Sequence, residues 1–167
     1  LAADDIATKG VDAEGVADLV TVADLEAERL ITEGLAQLAP GVAVIGEEAV
    51  AADPALAEGL AHRSAYFVLD PVDGTANFVA GDPAFGVMLA LVHHREVAVA
   101  WILLPVTDRL YVAERGAGAF VDGRRIDPPA PVDVADQRAW LSTRYLPPPW
   151  AQTVAANESS FAEVSSG

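Results

Sequence analysis

No cysteine occurs among the 167 residues, and lysine and arginine together number 10 against 25 aspartates and glutamates. The first absence excludes disulfides, a thiolate metal site and a cysteine nucleophile. The second, a formal net charge of −15, argues against nucleic acid or an anionic membrane as partner. Long hydrophobic runs are also lacking. Val97 to Leu104 is far too short to span a membrane, and nothing at the start reads as a signal peptide. Together these absences suit a soluble, cytoplasmic protein. What the chain does have is apolar residues, 52 % of the total, enough for one domain with a real core. It opens on Leu1 rather than Met, so the true N-terminus is expected to lie outside this sequence.

The stretch Tyr66-Phe67-Val68-Leu69-Asp70-Pro71-Val72-Asp73-Gly74-Thr75-Ala76-Asn77-Phe78 organises the rest. It begins as an apolar run with the length of a buried strand and ends in two carboxylates, a glycine and a hydroxyl. Pro71 supplies no N–H, so the strand is expected to stop and turn just after Asp70. That turn would gather Asp70, the Val72 carbonyl and Asp73 as a cluster of hard oxygens. Gly74 lets backbone approach a ligand, and a helix opening after it would aim N–H groups at an anion. A hard divalent metal with a phosphate suits such a cluster, although Asp73-Gly74 taken alone reads as an ordinary turn.

Read in order, Leu1 to Lys9 suggests the last turns of a helix, and Gly10 to Gly15 a small, acidic loop. Thr21 to Leu38 reads as an amphipathic helix, with Thr21 as N-cap and Asp24 completing a capping box. Val42 to Ile45 is a short strand leading into Gly46-Glu47-Glu48. Asp53-Pro54 suits the start of a short helix through Leu60. His62 needs no functional explanation, and Lys9 reads as an exposed, solvated lysine. Phe85 to Val92 and Val97 to Leu104 form apolar strands joined at His93-His94-Arg95-Glu96, where adjacent histidines point to opposite faces and make a poor chelating pair. Arg109 to Glu114 and Gly118 to Asp122 complete a meander, with Asp122-Gly123 as a further turn. From Asp127 the chain is linker-like until a strand at Arg138 to Ser142, and Trp150 to Asn157 suits a helix.

Asp70 to Phe78 resembles the Asp-Pro-x-Asp-Gly-Thr-x-Asn-Phe signature of the inositol monophosphatase family. Asp18-Leu19-Val20-Thr21-Val22-Ala23-Asp24, Ile45-Gly46-Glu47-Glu48 and Ala113 to Phe120 resemble three further motifs of that family, in the same order. Haloacid-dehalogenase phosphatases carry a similar Asp-x-Asp-Gly-Thr string, but the position of their nucleophile is here Pro71. The resemblance implies an α/β (α+β) fold, the layered α-β-α-β-α phosphatase sandwich, and the hairpin-rich middle agrees with a mainly antiparallel sheet in this portion.

The resemblance further implies a Mg²⁺-dependent phosphomonoesterase with two or three ions. Its metal ligands would be Glu47, Asp70, the Val72 carbonyl and Asp73, and Gly74 and Thr75 N–H groups would hold phosphate. A metal-activated water would attack, oriented by Thr75 with Asp24 behind it. The implied substrate is a small phosphorylated polyol such as inositol 1-phosphate. Relatives that hydrolyse fructose 1,6-bisphosphate, histidinol phosphate or 3′-phosphoadenosine 5′-phosphate leave alternatives open, and family members are commonly homodimers. A second αβ domain with a Trp-Asp motif is also expected, yet none of Trp101, Trp140 or Trp150 precedes an Asp. Residues 1–145 therefore read as the metal- and phosphate-binding domain and 146–167 as the start of the second, truncated. A non-catalytic metal-binding or dimerisation fragment is the alternative from a different class.

Overall fold

The computed structural model describes residues 6–11, 17–141, 146–157 and 163–166, in two compact units that divide between Asp127 and Pro128. In the first unit, strand β1 (Ile6–Val11) pairs antiparallel with β2 (Ala17–Thr21). The helix end expected at Leu1 to Lys9 is thus a strand from Ile6, and Gly10 belongs to it rather than to a loop. Residues 1–5 and 12–16 lie outside the description. Helix α1 (Val22–Leu38) follows, and the expected capping box at Thr21 is present. The Thr21 hydroxyl accepts from the Ala23 N–H at 3.1 Å while the Thr21 N–H donates to Asp24 Oδ2 at 3.0 Å, satisfying donors that a helix start otherwise leaves orphaned.

Strand β3 (Ala43–Gly46) runs into the six-residue helix α2 (Glu47–Ala52). The helix expected to reach Leu60 is only a 3₁₀ turn, Pro54–Ala57, with Asp53 accepting from the Ala55 N–H. Strand β4 (Ala65–Asp73) then lies parallel to β3, with Gly46 opposite Leu69. Contrary to expectation, β4 does not stop at Asp70 but continues through Pro71 to Asp73. Two features make the proline tolerable. Pairing with β3 ends at Leu69, and the register with the next strand slips between Asp70 (opposite Met88) and Asp73 (opposite Gly86), so β4 carries one extra residue as a bulge.

Gly74, at φ 86°, turns the chain into helix α3 (Thr75–Ala80). Strands β5 (Gly86–His93), β6 (Glu96–Leu104), β7 (Arg109–Glu114), β8 (Gly118–Val121) and β9 (Arg124–Ile126) complete a seven-stranded sheet in sequence order, all antiparallel beyond β4. The β5–β6 turn has positive φ at both His94 (50°) and Arg95 (68°), the backbone of a two-residue hairpin. The fold is therefore the mixed α/β, mainly antiparallel arrangement that the sequence suggests. Among the described residues no helix is long and apolar enough to cross a membrane.

Among the described residues Phe67, Leu69, Val72 and Val92 are buried apolar residues, and α1 packs on β3 and β4. In the second unit, β10 (Arg138–Leu141) pairs parallel with β11 (Glu163–Ser166), with α4 (Pro148–Asn157) between them in sequence. Helix α4 begins two residues earlier than the sequence suggests.

Leu69 is 1 % exposed and its neighbour Val68 42 %. Leu69→Ala should therefore cost about 3 kcal/mol in urea denaturation. Val68→Ala should cost less than about 1 kcal/mol.

Candidate metal and phosphate site

The in-register parallel pairing of β3 and β4 puts the residues after Gly46 and Leu69 side by side at the carboxyl ends of the two strands. Those residues are Glu47 and Asp70, and such strand ends are where α/β folds hold ligands. They line a cavity of about 360 Å³ together with Val50, Ala57 and Val68. A larger hollow of about 700 Å³ lies by Ala98, Gly116 and Arg125 at the β6–β8 end of the sheet. There Arg125 is committed to the Ala117 carbonyl and Arg115 to Glu96.

Asp70 is electrostatically out of balance. Burial first, then the Glu47 charge, a hydrogen bond to Glu47 and the Asp73 charge push its carboxyl from the ordinary 3.8 up to about 7. Its Oδ1 is buried and has no hydrogen-bond partner among the described residues. A carboxyl beside a second carboxylate, with one buried oxygen that no donor meets, calls for a proton or a cation. Among the described residues no three acidic or histidine side chains converge into a ready-made cage. The donors on offer are two adjacent carboxylates, the exposed Asp73 and the Val72 carbonyl. Hard oxygens with room for solvent fit Mg²⁺, which keeps several waters, better than a metal that needs a complete protein shell.

A second cluster adjoins the first. Asp24 is 1 % exposed, and its two oxygens have separate work. Oδ2 accepts from the Thr21 N–H and hydroxyl, while Oδ1 lies 3.1 Å from Thr75 Oγ1. Thr75 Oγ1 is also 3.0 Å from the Val72 carbonyl. A threonine hydroxyl has one proton, so it serves one acceptor at a time. When it donates to Asp24, the Val72 oxygen is released for another partner. Asp24, Val72 and Thr75 are thus brought together, with Asp70, Asp73 and Gly74 on the same continuous segment.

The chain matches the inositol monophosphatase family over residues 3–149. It belongs to that family. It is 41 % identical over 116 residues to the inositol-1-monophosphatase of Rhizobium meliloti, covering 70 % of this chain and 41 % of the relative. It is 36 % identical over 118 residues to the fructose-1,6-bisphosphatase/inositol-1-monophosphatase of Aquifex aeolicus, covering 71 % and 42 %. The solved Thermotoga maritima IMPase superposes with a TM-score of 0.69 at 26 % identity, over 95 % of this chain and 59 % of that one. The chain spans about two fifths of the length of the curated relatives it matches.

Within this inositol monophosphatase family chain, two residues of the signature work inside the fold. Asn77 donates to the Ala84 carbonyl at 2.7 Å, and the Phe78 and Phe85 rings meet edge to face at 5.0 Å. Both contacts clamp the segment after α3 against Gly74, where a Cβ would come within 3.0 Å of the Ala84 oxygen. Sequence reasoning missed Glu28. It is 8 % exposed and accepts from the Glu48 and Ala49 N–H groups at 2.8 and 2.9 Å. The available signal was its position four residues after Asp24, one turn along the same face of α1.

The raised Asp70 carboxyl fixes the sign of a pH effect. The folded chain holds this proton to about pH 7, whereas the unfolded chain loses it near 3.8, so the stabilisation is full below about 3.8 and lost as pH rises through 7. In EDTA, the melting temperature should fall between pH 5 and pH 8 by more in the wild type than in Asp70→Asn. Added Mg²⁺ should flatten the wild-type profile, because a cation favours the ionised form. Parallel profiles for the two proteins would remove Asp70 as the source.

Proposed function

We propose that this chain is the metal- and phosphate-binding part of a Mg²⁺-dependent phosphomonoesterase acting on a small phosphorylated polyol such as inositol 1-phosphate. The observation that carries the reading is the Asp70 carboxyl set against Glu47, its buried Oδ1 without a partner among the described residues, next to the Thr75–Asp24 pair. Family membership supports it, and the names of the relatives supply the substrate class. In this reading Glu47, Asp70, Asp73 and the Val72 carbonyl hold the metal. When bound, Mg²⁺ supplies positive charge that neutralises the phosphate and acidifies water.

The chain's own residues then do the following. Thr75 Oγ1 donates its proton to Asp24 Oδ1, which turns the threonine lone pairs outward to accept a hydrogen bond from the attacking water. Asp24, held by Thr21 at its other oxygen, keeps Thr75 in that orientation. Gly74, at φ 86° and crowded by the Ala84 carbonyl, brings its own N–H and that of Thr75 towards the phosphate oxygens. Thr75 is an orienting group in this scheme and is not itself phosphorylated.

Phosphate release from inositol 1-phosphate, fructose 1,6-bisphosphate, histidinol phosphate and 3′-phosphoadenosine 5′-phosphate, with and without Mg²⁺, tests this directly. Inositol 1-phosphate should be turned over, only with Mg²⁺. Asp70→Asn should abolish turnover, and Thr75→Ala should reduce it by roughly 10²–10⁴-fold. A wild-type rate in Asp70→Asn would overturn the assignment of Asp70. Preference for fructose 1,6-bisphosphate, named for the Aquifex aeolicus relative, would move the substrate without moving the site.

A further inference from the structure

The six-residue helix α2 carries Glu47 at its first position, and its own N-cap, Gly46, has no side chain with which to cap it. The capping group comes instead from 20 residues earlier. The Glu28 carboxylate accepts from the Glu48 and Ala49 N–H groups, one oxygen to each. Both contacts have the length of charge-assisted hydrogen bonds, and the positive end of the helix favours the anion. The fit is close enough that a Cβ on Gly46 would overlap the Glu28 carboxyl. Gly46 has φ −89°, which any residue adopts, so what the glycine provides there is space for this carboxylate.

Glu28 and Asp24 therefore stand one turn apart on α1, both buried, and each secures one side of the site: Asp24 holds Thr75, and Glu28 holds the residues immediately after Glu47. We propose that Glu28 is a positioning residue for the metal site, its carboxylate fixing the start of α2 and thereby the approach of Glu47 to Asp70. The inference rests on the proposed function, because it takes Glu47 and Asp70 as the ligands. Groups that orient a metal's ligands typically change affinity by about 10–100-fold when removed, and that is the size of effect expected here.

The test is Mn²⁺ binding to the full chain, followed by electron paramagnetic resonance, in the wild type, Glu28→Ala, Glu28→Gln and Gly46→Ala. Thermal melts and ¹H–¹⁵N spectra accompany it. Glu28→Ala should weaken Mn²⁺ by about 10-fold or more and shift the Glu48 and Ala49 amides. Glu28→Gln keeps the shape and one acceptor but points an NH₂ at an N–H, so it should fall between wild type and Glu28→Ala. Gly46→Ala removes no carboxylate but displaces that of Glu28, and should lose affinity as Glu28→Ala does. If Glu28→Ala fails to fold, Glu28→Gln and Gly46→Ala decide. Unchanged Mn²⁺ affinity in the folded variants, with only a lowered melting temperature, would reduce Glu28 to a structural cap and overturn the inference. No Mn²⁺ binding by the wild type would instead overturn the metal reading, and this inference with it.

Discussion

Parallel pairing between β3 and β4 is the constraint on which the site depends. With Gly46 opposite Leu69, Glu47 at the start of α2 and Asp70 within β4 come side by side. Shifting that register by one residue would also turn Phe67 and Leu69, two buried apolar residues of β4, out of the core. Core packing thus holds two like charges against each other. Such an arrangement persists only if one group keeps its proton or a cation lies between them, and the elevated Asp70 carboxyl is the first of those solutions. In the proposed function, a hard cation takes the place of that proton.

Helix α1 is the second support. Burying a carboxylate is costly unless donors meet it, and α1 buries two. Asp24 meets the Thr21 N–H and hydroxyl and the Thr75 hydroxyl, while Glu28 meets two backbone N–H groups. The Thr75 hydroxyl and the two N–H groups that meet Glu28 sit at the starts of short helices, α3 and α2, that follow strands of the main sheet. The same contacts that satisfy the buried charges therefore tie α2 and α3 to one face of α1. This is why a six-residue helix, too short to be stable by itself, can position Glu47.

What was legible in the sequence follows the range of the interactions concerned. The α1 capping box is complete within Thr21 to Asp24, and the His94-Arg95 hairpin within two residues, so local chemistry reveals both. The ligand candidates of the central motif are legible because a single segment carries Asp70 to Thr75. Pro71 misleads because the rule that proline ends a strand assumes a partner on each side, and β3 has already ended at Gly46. Strand β1 is missed for a related reason. Its pairing with β2 is a contact across the intervening segment, and a short mixed run such as Ile6 to Val11 has no periodicity strong enough to signal it. Glu28 lies at the far limit, because its partners are 20 and 21 residues away.

Three glycines show how one residue type answers different demands. Gly74 needs both its positive φ and its lack of a Cβ, since the Ala84 carbonyl presses on it as the chain turns into α3. Gly118 combines φ 107° with the Arg125 guanidinium close to where a Cβ would stand. Gly46 has ordinary extended backbone and is crowded by a carboxylate alone. In Gly46-Glu47-Glu48, then, the glycine answers to Glu28 on another element rather than to its own turn. The motif is a strand end and a helix start pinned by a distant side chain, and Glu47 owes its place beside Asp70 to that contact as much as to the sheet.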